Sequence, residues 1–136
     1  MKRVSFQGER GAYSEPASVS FFGDEVNTIP CSTFADALKN TENGTSDCSV
    51  LPVENSLEGS VGESNDLLLS TKLNVVGEIY HRIHHCLIGT GSIEDIDTVY
   101  SHPQALGQCR QFIQKNSLKT VPVSYTHLTL PTILLV

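Results

Sequence analysis

The chain reads as an α/β fold on a mostly parallel sheet, and two observations predict it. Segments of strand character alternate with amphipathic helical segments along most of the 136 residues, the order that lays helices over parallel strands. A strand, a Ser with Pro two positions on, and then a helix also occur twice, at Phe6 to Ser14-Glu15-Pro16 and at Val99 to Ser101-His102-Pro103. Two α/β lobes, each offering a helix start to a shared cleft, would produce that echo.

Taken in order, Val4-Ser5-Phe6 is a strand, followed by a glycine turn from Gly8 to Gly11. A helix starts at Ser14, with Pro16 in its first turn and Ala17 and Phe21 four apart. A second helix starts at Thr33, carries Phe34, Ala37 and Leu38 on one stripe, and ends near Asn43-Gly44. Cys48 to Val53 is a short buried-strand candidate, Val61 to Leu69 is helical, and Leu73 to Ile79 returns to strand character. The chain stays extended through Cys86-Leu87-Ile88 to a turn at Gly89 to Ser92, and Thr98-Val99-Tyr100 is the next strand.

The stretch from Ser101 to Cys109 is the richest. Ala105, Cys109 and Phe112 share one helical stripe, with Leu106 and Ile113 beside it. Ser101 and Gln104 match a capping box, and Pro103 suits a first helical turn. A strand ending in such a cap aims backbone N–H groups and the positive end of a helix dipole outward, which suits a carboxylate or phosphate.

Charge excludes one class of partner. Lys and Arg total 9 against 15 Asp and Glu, a net charge of −6, and no basic cluster exists to neutralise phosphates, so nucleic acid is not expected. No stretch approaches the roughly 18 apolar residues of a membrane span, and Met1-Lys2-Arg3-Val4-Ser5-Phe6 runs into a strand without a signal segment. The four cysteines, Cys31, Cys48, Cys86 and Cys109, have no framework spacing and fall in apolar contexts. They read as reduced core residues of a cytoplasmic protein.

Several local motifs bear on chemistry. The Gly8 to Ser14 turn lacks both the Gly-Lys-Ser/Thr of a P-loop and a dinucleotide fingerprint. His81 and His85 point to one face of an extended stretch, yet no second cluster closes a metal site, so no metal is expected. No nucleophile elbow or triad spacing is present. Glu54-Asn55-Ser56 follows a strand end, where ligands gather in open α/β sheets; Asn and Ser supply orienting hydrogen bonds there, and turn chemistry serves the same residues equally well.

Together these pieces resemble the catalytic domain of prephenate dehydratases, with arogenate dehydratases close behind. The matching segments are Gly8-Glu9-Arg10-Gly11-Ala12-Tyr13-Ser14-Glu15, Leu51 to Ser56 with Gly59-Ser60-Val61, Asp66-Leu67-Leu68, Gly77-Glu78, and Ser101 to Ala105 with Gln108-Cys109. They appear in the family's order and span about Val4 to Pro122. The resemblance implies a two-lobed, periplasmic-binding-protein-like (type II) dehydratase domain with its site between the lobes. The lobes are expected at residues 1–78 and 79–122. It implies the decarboxylating dehydration of prephenate to phenylpyruvate in phenylalanine biosynthesis, without a cofactor, and a full-length form that is a homo-oligomer. It also implies Asn55, Ser101 and Gln108 as substrate-positioning residues, with Ser14, Glu54, Ser56, His102 and Gln104 in support. The Ser14 and Ser101 helix mouths would hold the dianion.

The family's Thr-Arg-Phe motif, whose Thr assists departure of the hydroxyl, is absent, so no catalytic residue is assigned. The uncharged stretch at the end, residues 123–136, reads as a foreign or read-through tail. The expectation is therefore a dehydratase domain truncated before the return to the first lobe and inactive alone. The alternative is a pair of lobes that binds a small carboxylate without catalysis, since a fold does not determine a function.

Overall fold

The computed structural model describes residues 1–56, 59–123 and 134–135, the last pair by backbone only. The chain divides into two compact units, Met1–Arg82 and Ile83–Val136. The expected tail lies outside the described residues except for Val123 and the backbone of Leu134–Leu135.

In the first unit, β1 (Lys2–Gln7), α1 (Ser14–Phe22), β2 (Val26–Cys31), α2 (Phe34–Glu42) and β3 (Cys48–Val50) follow one another. The strands form a parallel sheet in the order β2-β1-β3. The centre of β1 is completely buried at Val4, Ser5 and Phe6. Alternate residues of a strand point to opposite faces, so Ser5 meets α2, where its hydroxyl donates to the Ala37 carbonyl at 2.8 Å, and Val4 and Phe6 serve the other face. Around Ser5 lies a knot of hydroxyls. Ser46 Oγ is 2.7 Å away, Ser49 Oγ donates to the same carbonyl at 2.7 Å, and Thr41 Oγ1 touches both Ser46 and Ser49. Buried hydroxyls are tolerated because they satisfy one another.

The helix expected from Thr33 forms for the reason the sequence shows. Thr33 is extended and its hydroxyl accepts the Asp36 N–H at 3.0 Å, while Ala37 and Leu38 are buried. After β3 comes a small antiparallel pair, β4 (Glu54–Asn55) with β5 (Gly59–Ser60), and then α3 (Gly62–Ser70). The expected strand from Leu73 to Ile79 does not form. These residues adopt no regular structure, and Val75 and Val76 are 75% and 77% exposed. β-rich composition does not make a strand without a neighbour to receive its hydrogen bonds.

The second unit contains β6 (Leu87–Ile88), a 3₁₀ turn (Ile93–Asp95), β7 (Thr98–Ser101), α4 (Pro103–Gln108), α5 (Arg110–Lys115), β8 (Lys119–Pro122) and β9 (Leu134–Leu135). The sheet order is β6-β9-β7-β8, with β7 parallel to both β8 and β9 and β6 antiparallel to β9. Its core is Val99, Ile113 and Leu118, with Leu87, Ile96, Leu106 and Cys109 packed against it.

The helical segment after Ser101 differs from expectation. It breaks at Cys109 (φ −100°, ψ 14°) into two six-residue helices. The buried stripe runs through Leu106, Cys109 and Ile113, which pack with Val99 and Leu118, so Phe112, expected on one stripe with Ala105 and Cys109, lies at its edge and is 39% exposed. Gly107, a weak helix former, precedes the break. The cysteines also divide. Cys31 is buried and Cys48 and Cys109 are half-buried, but Cys86 is exposed and is no core residue; all four are free thiols. Burial pushes the Cys31 and Cys109 thiols up from their ordinary value.

Candidate functional site

The residues singled out in the sequence fall on both units. Glu54, Asn55, Ser56 and Ser14 belong to the first; Ser101, His102, Gln104 and Gln108 belong to the second.

In the first unit, Ser14 opens α1 and is half-buried behind the Gly8–Gly11 turn. That turn is closed by its own carboxylate. Glu15 Oε2 accepts the Gly11 N–H at 2.6 Å, Oε1 accepts the Thr28 hydroxyl at 2.6 Å, and Arg10 Nη1 approaches Oε1 at 3.2 Å. The Thr28 hydroxyl, then the Gly11 N–H, and more weakly Arg10 hold the Glu15 carboxyl below its ordinary value, against the opposing effect of burial. A protein carboxylate therefore already occupies the turn's Gly11 N–H. Asn55 is half-buried on β4, paired in register with Gly59; Glu54 is exposed opposite Ser60, and Ser56 is exposed in the turn that follows.

In the second unit, Ser101 ends β7 and is 3% exposed. Its carbonyl accepts the Val123 N–H at 2.9 Å, anchoring the end of β8 beside it. The expected capping box between Ser101 and Gln104 does not form. His102 is the N-cap instead, its Nδ1 accepting the Gln104 N–H at 3.2 Å. Ser101 continues the β7 ladder opposite Pro122, which keeps it in the strand and moves the cap one residue on. His102, Pro103, Pro122 and Val123 line a shallow depression of about 310 Å³. Helix α4 has only six residues, so its dipole is small, and one of its first N–H groups is already taken by His102.

Gln108 is the last residue of α4, half-buried, with Oε1 2.6 Å from Nε2 of His85. His85, expected to share a face of an extended stretch with His81, pairs with Gln108. Nothing in the local pattern signals that contact, because 23 residues separate the two. Among the described residues no group of three His, Cys, Asp or Glu side chains stands ready for a metal ion, and no helix is long and apolar enough to cross a membrane.

Comparison with known proteins decides the family. A family model described as Prephenate dehydratase matches residues 4–130. The chain belongs to the prephenate dehydratase family. The resemblance to prephenate dehydratases read from the sequence is thus borne out. Among its relatives, the chloroplastic arogenate dehydratase/prephenate dehydratase 1 of Arabidopsis thaliana is 46% identical over 109 residues, 79% of this chain and 28% of that protein. The bifunctional chorismate mutase/prephenate dehydratase of Enterobacter agglomerans is 40% identical over 118 residues, 83% of this chain and 30% of that protein. The chain thus spans less than a third of the length of these relatives. The prephenate dehydratase structure from Staphylococcus aureus subsp. aureus Mu50 superimposes with a TM-score of 0.78 at 27% identity, covering 98% of this chain and 53% of that one. A structure described as a novel type of quorum quenching acylase, GqqA, gives 0.75 at 34% identity over 90% of this chain and 45% of that one. These neighbours agree with the α/β class predicted for this dehydratase domain.

Proposed function

We propose that this chain is part of a cytoplasmic prephenate dehydratase and contributes substrate-positioning groups to the decarboxylating dehydration of prephenate, or of arogenate. The observation that carries the reading is the Ser101-His102-Pro103-Gln104 segment at the end of β7, beside the His102 depression, within the residues that match the family.

The chemistry asks for positioning more than for bond-making by the protein. The ring carboxylate leaves as carbon dioxide, its electron pair enters the ring, and the hydroxyl across the ring departs with a proton as water. The side-chain carboxylate is retained. Neutral donors such as Ser101, Asn55 and Gln108 suit the retained oxygens, since fixed dipoles lower the charge-separation cost without neutralising the leaving carboxylate. In this reading Glu54, Ser56, His102, Gln104 and Ser14 support those donors. The proton donor for the hydroxyl is assigned to no residue of this chain, whose sequence carries no Thr-Arg-Phe motif. In this reading residues 1–78 and 79–122 are the two lobes and the complete enzyme is a homo-oligomer; of the expected tail at 123–136, residues 123–130 still fall within the family match.

The test compares this chain alone with this chain joined at Pro122 to the corresponding downstream segment of the Enterobacter relative, assaying phenylpyruvate from prephenate and phenylalanine from arogenate. Activity in the extended form alone, lowered by Ser101→Ala, supports the reading. A folded extended form that binds prephenate without turning it over would establish the carboxylate-binding alternative instead.

A further inference from the structure

We infer that His85 is a positioning residue that locks the Gln108 carboxamide with its oxygen turned inward and its two N–H bonds left for ligand. This rests on the reading of Gln108 as a substrate contact and specifies what that contact recognises.

The geometry is simple. His85 lies just before β6 and Gln108 closes α4, both half-buried in the second unit, and Nε2 and Oε1 stand 2.6 Å apart. An amide oxygen only accepts, so at that separation the hydrogen resides on Nε2 of His85. A carboxamide has one acceptor end and one donor end. With the oxygen end turned to His85, the donor end is the one presented to a partner. Gln108 therefore presents N–H groups to an oxygen of the ligand, as a carboxylate, keto or hydroxyl group offers, and is turned away from meeting an ammonium group.

The experiment uses the 136-residue chain labelled with nitrogen-15. In the free chain, two-bond nitrogen–proton spectra at neutral pH should show His85 as the Nε2–H tautomer, and Gln108→Ala should shift its ring signals toward the tautomeric average. An Nδ1–H tautomer, or a ring indifferent to Gln108→Ala, would overturn the inference. Prephenate is then titrated into the same samples. Gln108→Ala and His85→Phe, which fills the ring's space without a donor, should each weaken binding about tenfold, the scale of one oriented hydrogen bond. The double variant should lose no more than either single one, and His85→Asn, which keeps an N–H donor, should recover part of the affinity. Weakening by Gln108→Ala but not by His85→Phe sinks the positioning role alone. If the tautomer is as expected but neither Gln108→Ala nor His85→Phe alters prephenate binding, or the parent chain binds none, the reading of Gln108 as a ligand contact fails and takes the positioning role with it.

Discussion

The Thr28 hydroxyl donates to Glu15 Oε1 at 2.6 Å, tying the first turn of α1 to the middle of β2. Because Glu15 Oε2 also accepts the Gly11 N–H, one carboxylate joins the glycine turn, the helix and the sheet. These donors hold the Glu15 carboxyl below its ordinary value. A depressed carboxyl pKa stabilises the fold fully above the unfolded value and progressively less as pH falls toward the folded one. Urea melts should show this acid-side loss, and Glu15→Gln should flatten it. Thr28→Val should cost about 1 kcal/mol at neutral pH, the usual worth of such a hydrogen bond.

A second carboxylate gives a separable acid response. Asp47 receives the Arg3 backbone N–H on Oδ2 at 2.8 Å and the Arg3 guanidinium on Oδ1 at 2.8 Å, which holds its pKa at about 2. Its contribution is present above the ordinary aspartate range and disappears as pH falls through about 2. Asp47→Asn should remove the steepest acid-side part of the stability profile, measured by melts at descending pH. Salt should weaken the effect, because both side chains are exposed.

The hydroxyl knot under α2 should be intolerant of a gap. Ser5→Ala removes one of the two hydroxyls that donate to the Ala37 carbonyl and one of the two hydroxyl partners of Ser46, in a position with no solvent access, while Ser49 and Thr41 remain. Because both groups keep a hydroxyl partner, the loss should be about 1 kcal/mol, the worth of an ordinary hydrogen bond. Thermal melting of the variant reads that loss directly.

Backbone geometry at Gly8 predicts a further loss. Its φ is 121°, and a Cβ there would lie 2.9 Å from the Ala12 Cβ. Gly8→Ala should destabilise by about 1–3 kcal/mol through strain alone. Faster hydrogen exchange at the Gly11 amide would report the turn loosening with it.

The elements most legible in the sequence are those whose signals are local. Thr33 caps α2 as its composition demands, and Ala37 and Leu38 are buried where the helical stripe places them. Leu73–Ile79 misleads because a strand is a relationship between two segments, and its own residues carry only half of it. Ser101 misleads for a related reason. Its spacing to Gln104 fits a cap, but pairing with β8 holds it in β7 and hands the cap to His102. Phe112 misleads because spacing gives the width of an apolar stripe but not its centre, which packing with Val99 and Leu118 sets on Leu106, Cys109 and Ile113.

By itself the sequence determined the α/β class, the order of most elements and membership of the dehydratase family. Each of these is written in short-range spacing: capping residues, helical stripes and contiguous motifs. Only the tertiary structure decided that Glu15 fills the glycine turn from within, that His102 rather than Ser101 caps α4, and that His85 faces Gln108. Those facts depend on which side chains meet across strands and helices distant in sequence, where competition for each donor and acceptor is settled by packing rather than by spacing.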